Sequence, residues 1–250
     1  INLAKSQPIS ISQLVLPKAN SQDQVTQTAY DALGRASIST DYLGTRTEFA
    51  YDEVGNLVKT TRAVGTSDAS SLAKRYDVQG RVIAELSATG YALIAAGMTT
   101  EQINTIWTQY GSTHTYDASG RRTSTTDANG NKTLFFYDGD GQLSHTINAL
   151  GEVTETQYNN FGQVSATIAY SKRIALTSLT GANAGGLVNA TLTSLLTAAR
   201  TPASDKVTSY TYDVVGNLVQ TTDALGFQRN YVYSTFRQET QRTEAISRTS

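Results

Sequence analysis

The side chain best suited to moving protons near neutral pH occurs twice, as His114 and His145, and the chain has no cysteine. The two histidines stand in different stretches, so spacing assembles neither a transition-metal site nor a nucleophile–base pair. His114 lies two residues before Tyr116, where comparable stretches carry Phe or Tyr, and it reads as a substituted sheet-face residue. His145, just past a turn, reads the same way. Asp138-Gly139-Asp140-Gly141 opens like a calcium loop, yet the twelfth position counted from Asp138 is Ala149, where a bidentate glutamate is needed. Thr180-Gly181-Ala182-Asn183-Ala184-Gly185-Gly186 reads as a flexible loop ahead of a helix and lacks the Gly-Lys-Ser/Thr ending of a phosphate loop. Asn131-Lys132-Thr133 and Asn189-Ala190-Thr191 match a glycosylation triplet that is common by chance. The expectation is no catalytic residue, no cofactor, no metal and no enzyme.

The elements that carry these residues follow from a repeat. Tyr30-Asp31-Ala32-Leu33-Gly34 returns as Tyr51-Asp52 with Gly55, Tyr76-Asp77 with Gly80, Tyr116-Asp117 with Gly120, Tyr137-Asp138 with Gly141 and Tyr212-Asp213 with Gly216. Tyr158 with Gly162 is a softened copy, with Asn159 in place of aspartate, and Tyr233 opens a decayed one. Intervals of 21 residues separate Tyr30 from Tyr51, Tyr116 from Tyr137, Tyr137 from Tyr158 and Tyr212 from Tyr233. A second glycine follows each intact tyrosine by fourteen, at Gly44, Gly65, Gly90, Gly130, Gly151 and Gly226. Both glycines close one device: an aspartate or asparagine caps a type I turn, and glycine takes positive φ at its end. Segments of six or seven residues between turns, such as 35–40 and 45–51, suit strands and are short for helices. Each repeat therefore reads as a β-hairpin and the array as an antiparallel meander.

Alternation puts each tyrosine on one face with the residue two before it: Phe49 with Tyr51, Phe135 with Tyr137, Tyr210 with Tyr212, Tyr231 with Tyr233. Leu57, Val82, Leu143, Val164 and Leu218 follow the turns at one equivalent position and are the expected cross-strand partners. The rest is mostly Thr, Ser, Gln and charge, so both faces are expected to meet water over much of their area. The formal charge of −1, with both signs interspersed, gives no footprint for nucleic acid or an anionic membrane. No apolar run is long enough to span a membrane, and no signal peptide is legible. The chain opens on Ile1, which suggests a segment of a longer polypeptide, and Ile9, Ile11, Val15 and Leu16 look strand-like.

The Tyr-Asp-x-x-Gly pattern, sharpest at Gly34-Arg35, Gly55-Asn56-Leu57, Gly80-Arg81-Val82, Gly120-Arg121 and Gly216-Asn217-Leu218, resembles the YD repeats of the Rhs family. Such repeats also occur in the C-component of Tc insecticidal toxins and in teneurins, and the resemblance covers about residues 25–240. It implies a spiral β-sheet closing into a hollow shell, which in bacterial members encloses a toxic polypeptide. The absence of cysteine fits the bacterial branch. The proline-rich boundary motif of many members is missing, since the only prolines are Pro8, Pro17 and Pro202.

Two insertions interrupt the array, at 91–111 and 171–206. In the first, Thr99 and Gln102 form a capping box, Ile103, Ile106, Trp107 and Tyr110 make one helical face, and Gly111 is the stop. In the second, Leu192, Leu195, Leu196 and Ala199 mark a helical face and Pro202 follows its end. The first helix is expected to pack on the sheet or plug one end of the shell. The fold expected is thus all-β: one array over 1–250, curling into a segment of a spiral β-shell, with two short helical insertions. A β-propeller, two repeats to a blade, is the rival architecture. The function implied is a non-enzymatic, secreted or delivered wall segment. Its partners would be other parts of the same shell and an enclosed effector. The alternative is an extracellular adhesin or filament binding surface glycans.

Overall fold

The computed structural model describes residues 23–236 and 238–244. The strand-like Ile9, Ile11, Val15 and Leu16, with Pro8 and Pro17, lie outside the described residues. The described residues divide into two compact units, 23–50 with 60–70 in one and 51–59 with those from 71 onward in the other.

The first unit holds the antiparallel strands β1 (Gln27–Tyr30), β2 (Ala36–Thr40) and most of β3 (Arg46–Tyr51). It also takes the end of β4 (Leu57–Arg62), after which the chain turns through Ala63 and Gly65, both at positive φ. The Val64 N–H donates to the Arg46 carbonyl at 3.1 Å and ties that turn down.

The second unit is an antiparallel meander. Its strands are β5 (Ser70–Tyr76), β6 (Val82–Leu86), β7 (Gly111–Tyr116), β8 (Arg122–Thr126), β9 (Lys132–Tyr137), β10 (Leu143–Ile147), β11 (Val153–Tyr158) and β12 (Val164–Ala169). After a short β13 (Gly186–Leu187) come β14 (Lys206–Tyr212), β15 (Leu218–Thr222), β16 (Gln228–Tyr233) and β17 (Glu239–Glu244). Each strand pairs with the next, except that β12 pairs with β14 while β13 runs parallel to the end of β9.

The helical content differs from two single helices. The first insertion carries α1 (Ala88–Tyr91) and α2 (Thr100–Tyr110), and the second carries α3 (Ala190–Ala199) with 3-10 turns at Leu176–Ser178 and Gly181–Asn183. Helix α1 starts ahead of residue 91 because Ser87, at the position of a turn aspartate, caps a helix instead: its hydroxyl accepts the Gly90 N–H at 3.3 Å. Gly90 therefore closes no positive-φ turn. Its bare Cα is needed for packing, since a Cβ there would meet Leu86 at 2.5 Å and Tyr110 at 2.7 Å. In α2 both halves of the Thr99/Gln102 capping box form. Gly111 ends it in extended backbone, where a Cβ would stand 2.5 Å from the Trp107 carbonyl oxygen.

The covered face of the sheet is the one opposite the tyrosines. In β9, Phe135 and Tyr137 share one face, while Leu134 and the fully buried Phe136 take the other. Leu134, Phe136, Ile147 and Val153 pack with Ile174, Leu179, Leu192 and Leu196 of the second insertion. Ala73 and Leu86 pack with Ile106 and Trp107 of the first. The registers Ala84↔Thr113, Thr113↔Thr126 and Ser124↔Leu134 place both clusters on the same face. Each large side chain so covered contributes about 1.5–3 kcal/mol. The expectation that both faces meet water fails here, because the insertions supply the second layer that a lone sheet lacks.

Candidate functional site: the tyrosine ladder

The repeat's chemistry begins in its turn. In each intact copy the aspartate accepts two backbone N–H groups on one carboxylate oxygen, as Asp77 does from Gln79 and Arg81 at 2.9 and 3.0 Å. The turn closes with a Gly80 N–H to Asp77 carbonyl bond of 3.0 Å at φ +76°. The same pattern recurs at Asp31 with Gly34, Asp52 with Gly55, Asp117 with Gly120, Asp138 with Gly141, Asn159 with Gly162 and Asp213 with Gly216. Ser234 performs it in the decayed copy, its hydroxyl accepting from Phe236 and Gln238 at 3.3 Å each.

The second carboxylate oxygen is tied by the residue after the glycine. Arg35, Arg81 and Arg121 donate through Nε at 2.7, 2.7 and 2.8 Å, and Asn56 and Asn217 donate through their amides at 2.9 and 2.8 Å. The backbone N–H of Arg81 and of Asn217 is the first cause holding Asp77 and Asp213 below the usual carboxylate range. At Asp52 the Asn56 side chain leads. Asp138 caps its turn in the same way, accepting from Asp140 and Gln142, so the calcium-like run is one more turn of the array.

Each tyrosine sits opposite the residue that follows its own turn: Tyr76↔Val82, Tyr116↔Arg122, Tyr137↔Leu143, Tyr158↔Val164 and Tyr212↔Leu218. The register slips by one beside each of these pairs, a bulge that raises local twist. The hydroxyl, however, reaches back one hairpin. Tyr76 donates to the Leu57 carbonyl at 2.8 Å, Tyr116 to Val82 at 2.7 Å and Tyr137 to Arg122 at 2.8 Å. Tyr158 donates to Leu143 and Tyr212 to Val164, both at 2.9 Å. The guanidiniums of Arg81 and Arg121 stack on the next tyrosine ring, Tyr116 at 4.8 Å and Tyr137 at 5.2 Å. Burial pushes the phenols of Tyr137, Tyr158 and Tyr212 above their ordinary value. Sequence reasoning placed the rings and missed the hydroxyl bonds, because their acceptors are main-chain carbonyls that no residue type announces.

The remaining candidates resolve into structural roles. His114 is buried on the tyrosine face, its Nδ1 3.1 Å from the Thr125 hydroxyl and its Nε2 3.5 Å from Glu85. Burial, then Arg122, lowers its pKa against the pull of Glu85. His145 lies on the other face beside Glu155, its pKa lowered by burial. The glycine-rich loop is pinned: a Cβ at Gly185 would meet the Thr123 carbonyl oxygen at 2.1 Å, and β13 pairs beside the end of β9, Gly186 opposite Phe136. Gly185 thus serves close approach to the sheet, whereas a Cβ at Gly181 would meet nothing within 4 Å. Asn189 caps α3, accepting the Leu192 N–H at 2.9 Å, and Asn131 ties Asp127 at 2.9 Å.

The second insertion is latched where it returns to the sheet. Asp205, its side chain fully buried, accepts from Ser171 N–H at 2.8 Å, Thr201 N–H at 2.7 Å and the Arg200 guanidinium. Against a burial that pushes it up, these donors pull its carboxyl down to about 2. Arg200 also faces Glu155 at 3.4 Å, which accepts the Tyr170 hydroxyl at 2.7 Å. This cluster is saturated by its own members and presents no free nucleophile.

Among known proteins, the RHS Repeat family model matches residues 30–67 and 193–245. A comparison with curated proteins gives no match. Among solved structures, the Tc holotoxin pore of Photorhabdus luminescens is 14% identical with a TM-score of 0.35, over 89% of this chain and 14% of that one. The complex of TcdB2 and TccC3 without its hypervariable C-terminal region is 15% identical with a TM-score of 0.36, over 89% and 14%. The complex of TcdB2, TccC3 and Cdc42 is 14% identical with a TM-score of 0.34, over the same shares. The chain thus spans 14% of the length of each.

Proposed function

We propose that this chain, which matches the RHS Repeat family model over residues 30–67 and 193–245, is a non-enzymatic wall segment of an Rhs/YD-repeat β-shell that encloses or presents a polypeptide. Its partners are other segments of the same shell and the enclosed chain, and its place is outside the producing cell, secreted or delivered. The repeat-defining tyrosines, aspartates and glycines are structural positions of that wall. The observation that carries this reading is the ladder: tyrosine hydroxyls bond the hairpin before them at 2.7–2.9 Å. A meander whose neighbours are stitched in this way resists opening between hairpins, which a barrier requires and a catalyst does not.

The test uses the full polypeptide that contains these residues. Protease is added with and without low urea, and the segment downstream of the repeats is followed by mass. A wall predicts a downstream fragment that survives until urea loosens the repeats. Digestion of that segment at the rate of its free form overturns the reading. So does a sequence that continues in repeats to a surface anchor, which favours the adhesin.

A further inference from the structure

Arg81, Arg121 and Arg173 each hold a carboxylate. Arg75 pairs with none among the described residues, although burial already disfavours its charge and lowers its pKa. The registers Arg75↔Ala84, Ala84↔Thr113 and Thr113↔Thr126 put it on the covered face. Its guanidinium lies on the Trp107 ring, 4.2 Å from the centroid, and Nη2 donates to Asn104 Oδ1 at 2.8 Å. Asn104 and Trp107 are three residues apart, on one face of α2. That helix is fixed by its capping box and by the packing of Ile106 and Trp107 on Ala73 and Leu86. The Asn104 bond uses one of the five N–H groups a guanidinium carries. Arg75, Asn104 and Trp107 line a groove of about 680 Å³ together with Thr113, Thr126 and Asp127. Asp127 is occupied by its own turn: its carboxylate accepts the Asn129 and Asn131 N–H groups and the Asn131 amide, each at 2.9 Å.

We propose that this groove binds an acidic peptide, one of whose aspartate or glutamate carboxylates takes the Arg75 guanidinium. The planar fork of arginine matches a carboxylate with two parallel bonds. Trp107 and Asn104 hold that fork in advance, so little side-chain freedom is lost on binding. The Thr113 and Thr126 hydroxyls, opposite one another on β7 and β8, donate to the peptide's oxygens. Two features select the class. The backbone at Thr113 and Thr126 is already paired with β6 and β9, so the peptide cannot join as a strand and is held by side chains. One cation beside the Asp127 carboxylate can match the single charge of a carboxylate and not the near-double charge of a phosphate. The site goes beyond the wall reading and needs no shell, since β5–β8, the turn after β8 and α2 supply all of it.

Trp107 is the only tryptophan, so its fluorescence reports on this groove alone. The chain is titrated with capped hexapeptides that differ at one central residue: glutamate, glutamine or phosphoserine. The glutamate peptide should change the Trp107 emission saturably. It should bind roughly tenfold more tightly than the glutamine peptide, a difference of about 1.4 kcal/mol, and lose that advantage as salt rises. Arg75→Gln should erase the preference for glutamate, with circular dichroism checking that the variant folds. Asp127→Asn keeps the turn, as Asn159 does, and should tighten the glutamate peptide and admit the phosphoserine one. The proposal is overturned if the glutamate peptide does not bind, or binds no better than the glutamine one. It is overturned if the phosphoserine peptide is preferred by the unaltered chain, if folded Arg75→Gln keeps the preference, or if Asp127→Asn weakens the glutamate peptide. A Trp107 emission that changes on dilution of the chain alone would place a second copy in the groove and equally overturn it.

Discussion

Tyr158→Phe removes one oxygen and leaves the ring in place, so it isolates the rung. The lost bond joins the Tyr158 hydroxyl to the half-buried Leu143 carbonyl at 2.9 Å. A net hydrogen bond of this kind contributes about 1 kcal/mol. For a chain of this size that is a fall of roughly 2–4 °C in Tm. The five rungs, at Tyr76, Tyr116, Tyr137, Tyr158 and Tyr212, use five different carbonyls, so their losses should add when combined. Together they reach about 5 kcal/mol, the low end of the total stability of an ordinary domain. Urea unfolding followed by circular dichroism measures this, and the midpoint should move with the slope unchanged, because the buried area does not change. Tyr30→Phe is the control. Tyr30 is 65% exposed and has no preceding hairpin among the described residues, so its change should be neutral. If Tyr137, Tyr158 and Tyr212 each tolerate phenylalanine as well as Tyr30 does, the tyrosines serve ring packing alone and the ladder carries no stability.

Gly130→Ala and Gly151→Ala impose nearly the same φ penalty, at +82° and +80°, but only the second places a Cβ against backbone, 2.2 Å from the Ile174 carbonyl oxygen. The first should cost about 1–2 kcal/mol and the second at least twice the measured cost of the first; equal Tm losses would refute a docked second insertion. His114 and His145 both have lowered pKa values, so the unfolded chain takes up their protons first. Their contribution is complete above about pH 6.5 and is lost as pH falls through the lower folded values. The urea midpoint should therefore drop between neutral and mildly acidic pH, and should drop less in a His114→Phe, His145→Gln double variant. Trp107→Ala should cost roughly 3–5 kcal/mol and speed amide exchange in α2 while β14–β16 stay protected. Uniform acceleration across the sheet would show that the first insertion is not a separate layer.

The hairpins were legible because their turns demand residue types: a capping carboxylate or amide, then a glycine able to take positive φ. The α2 start was legible for the same reason, since both halves of its capping box are side chains. Less could be read where position and type part company. Ser87 and Gly90 stand where a turn belongs, but nothing local says that the chain will continue into a helix. Gly130 and Gly151 look alike in sequence and differ only in what the second insertion presses against them. The covered face was missed because Leu134 and Phe136 flank Phe135 in an unbroken apolar run, which hides alternation. An apolar run of that kind is itself a sign of a strand covered on both sides.

The insertions test how far the ladder depends on chain continuity. Between adjacent repeats, the rungs of Tyr137 and Tyr158 span 15 residues of sequence. Across the first insertion Tyr116 reaches Val82 over 34 residues, and across the second Tyr212 reaches Val164 over 48. Bond lengths of 2.7 and 2.9 Å on the long spans match 2.8 and 2.9 Å on the short ones. The chain therefore leaves the array at a strand end, builds a separate layer on the covered face, and re-enters with the rung geometry intact. Loop-closure entropy permits this, since it rises only logarithmically with length, by about 0.6 kcal/mol per doubling. The apolar contacts of Trp107 in one insertion and Leu192 in the other outweigh that increment. What each repeat requires from its neighbour is a carbonyl one hairpin back, and that acceptor exists whatever the chain does in between. Insertions are thus admitted wherever they leave that carbonyl in place, and their sequences are free to specialise on the covered face.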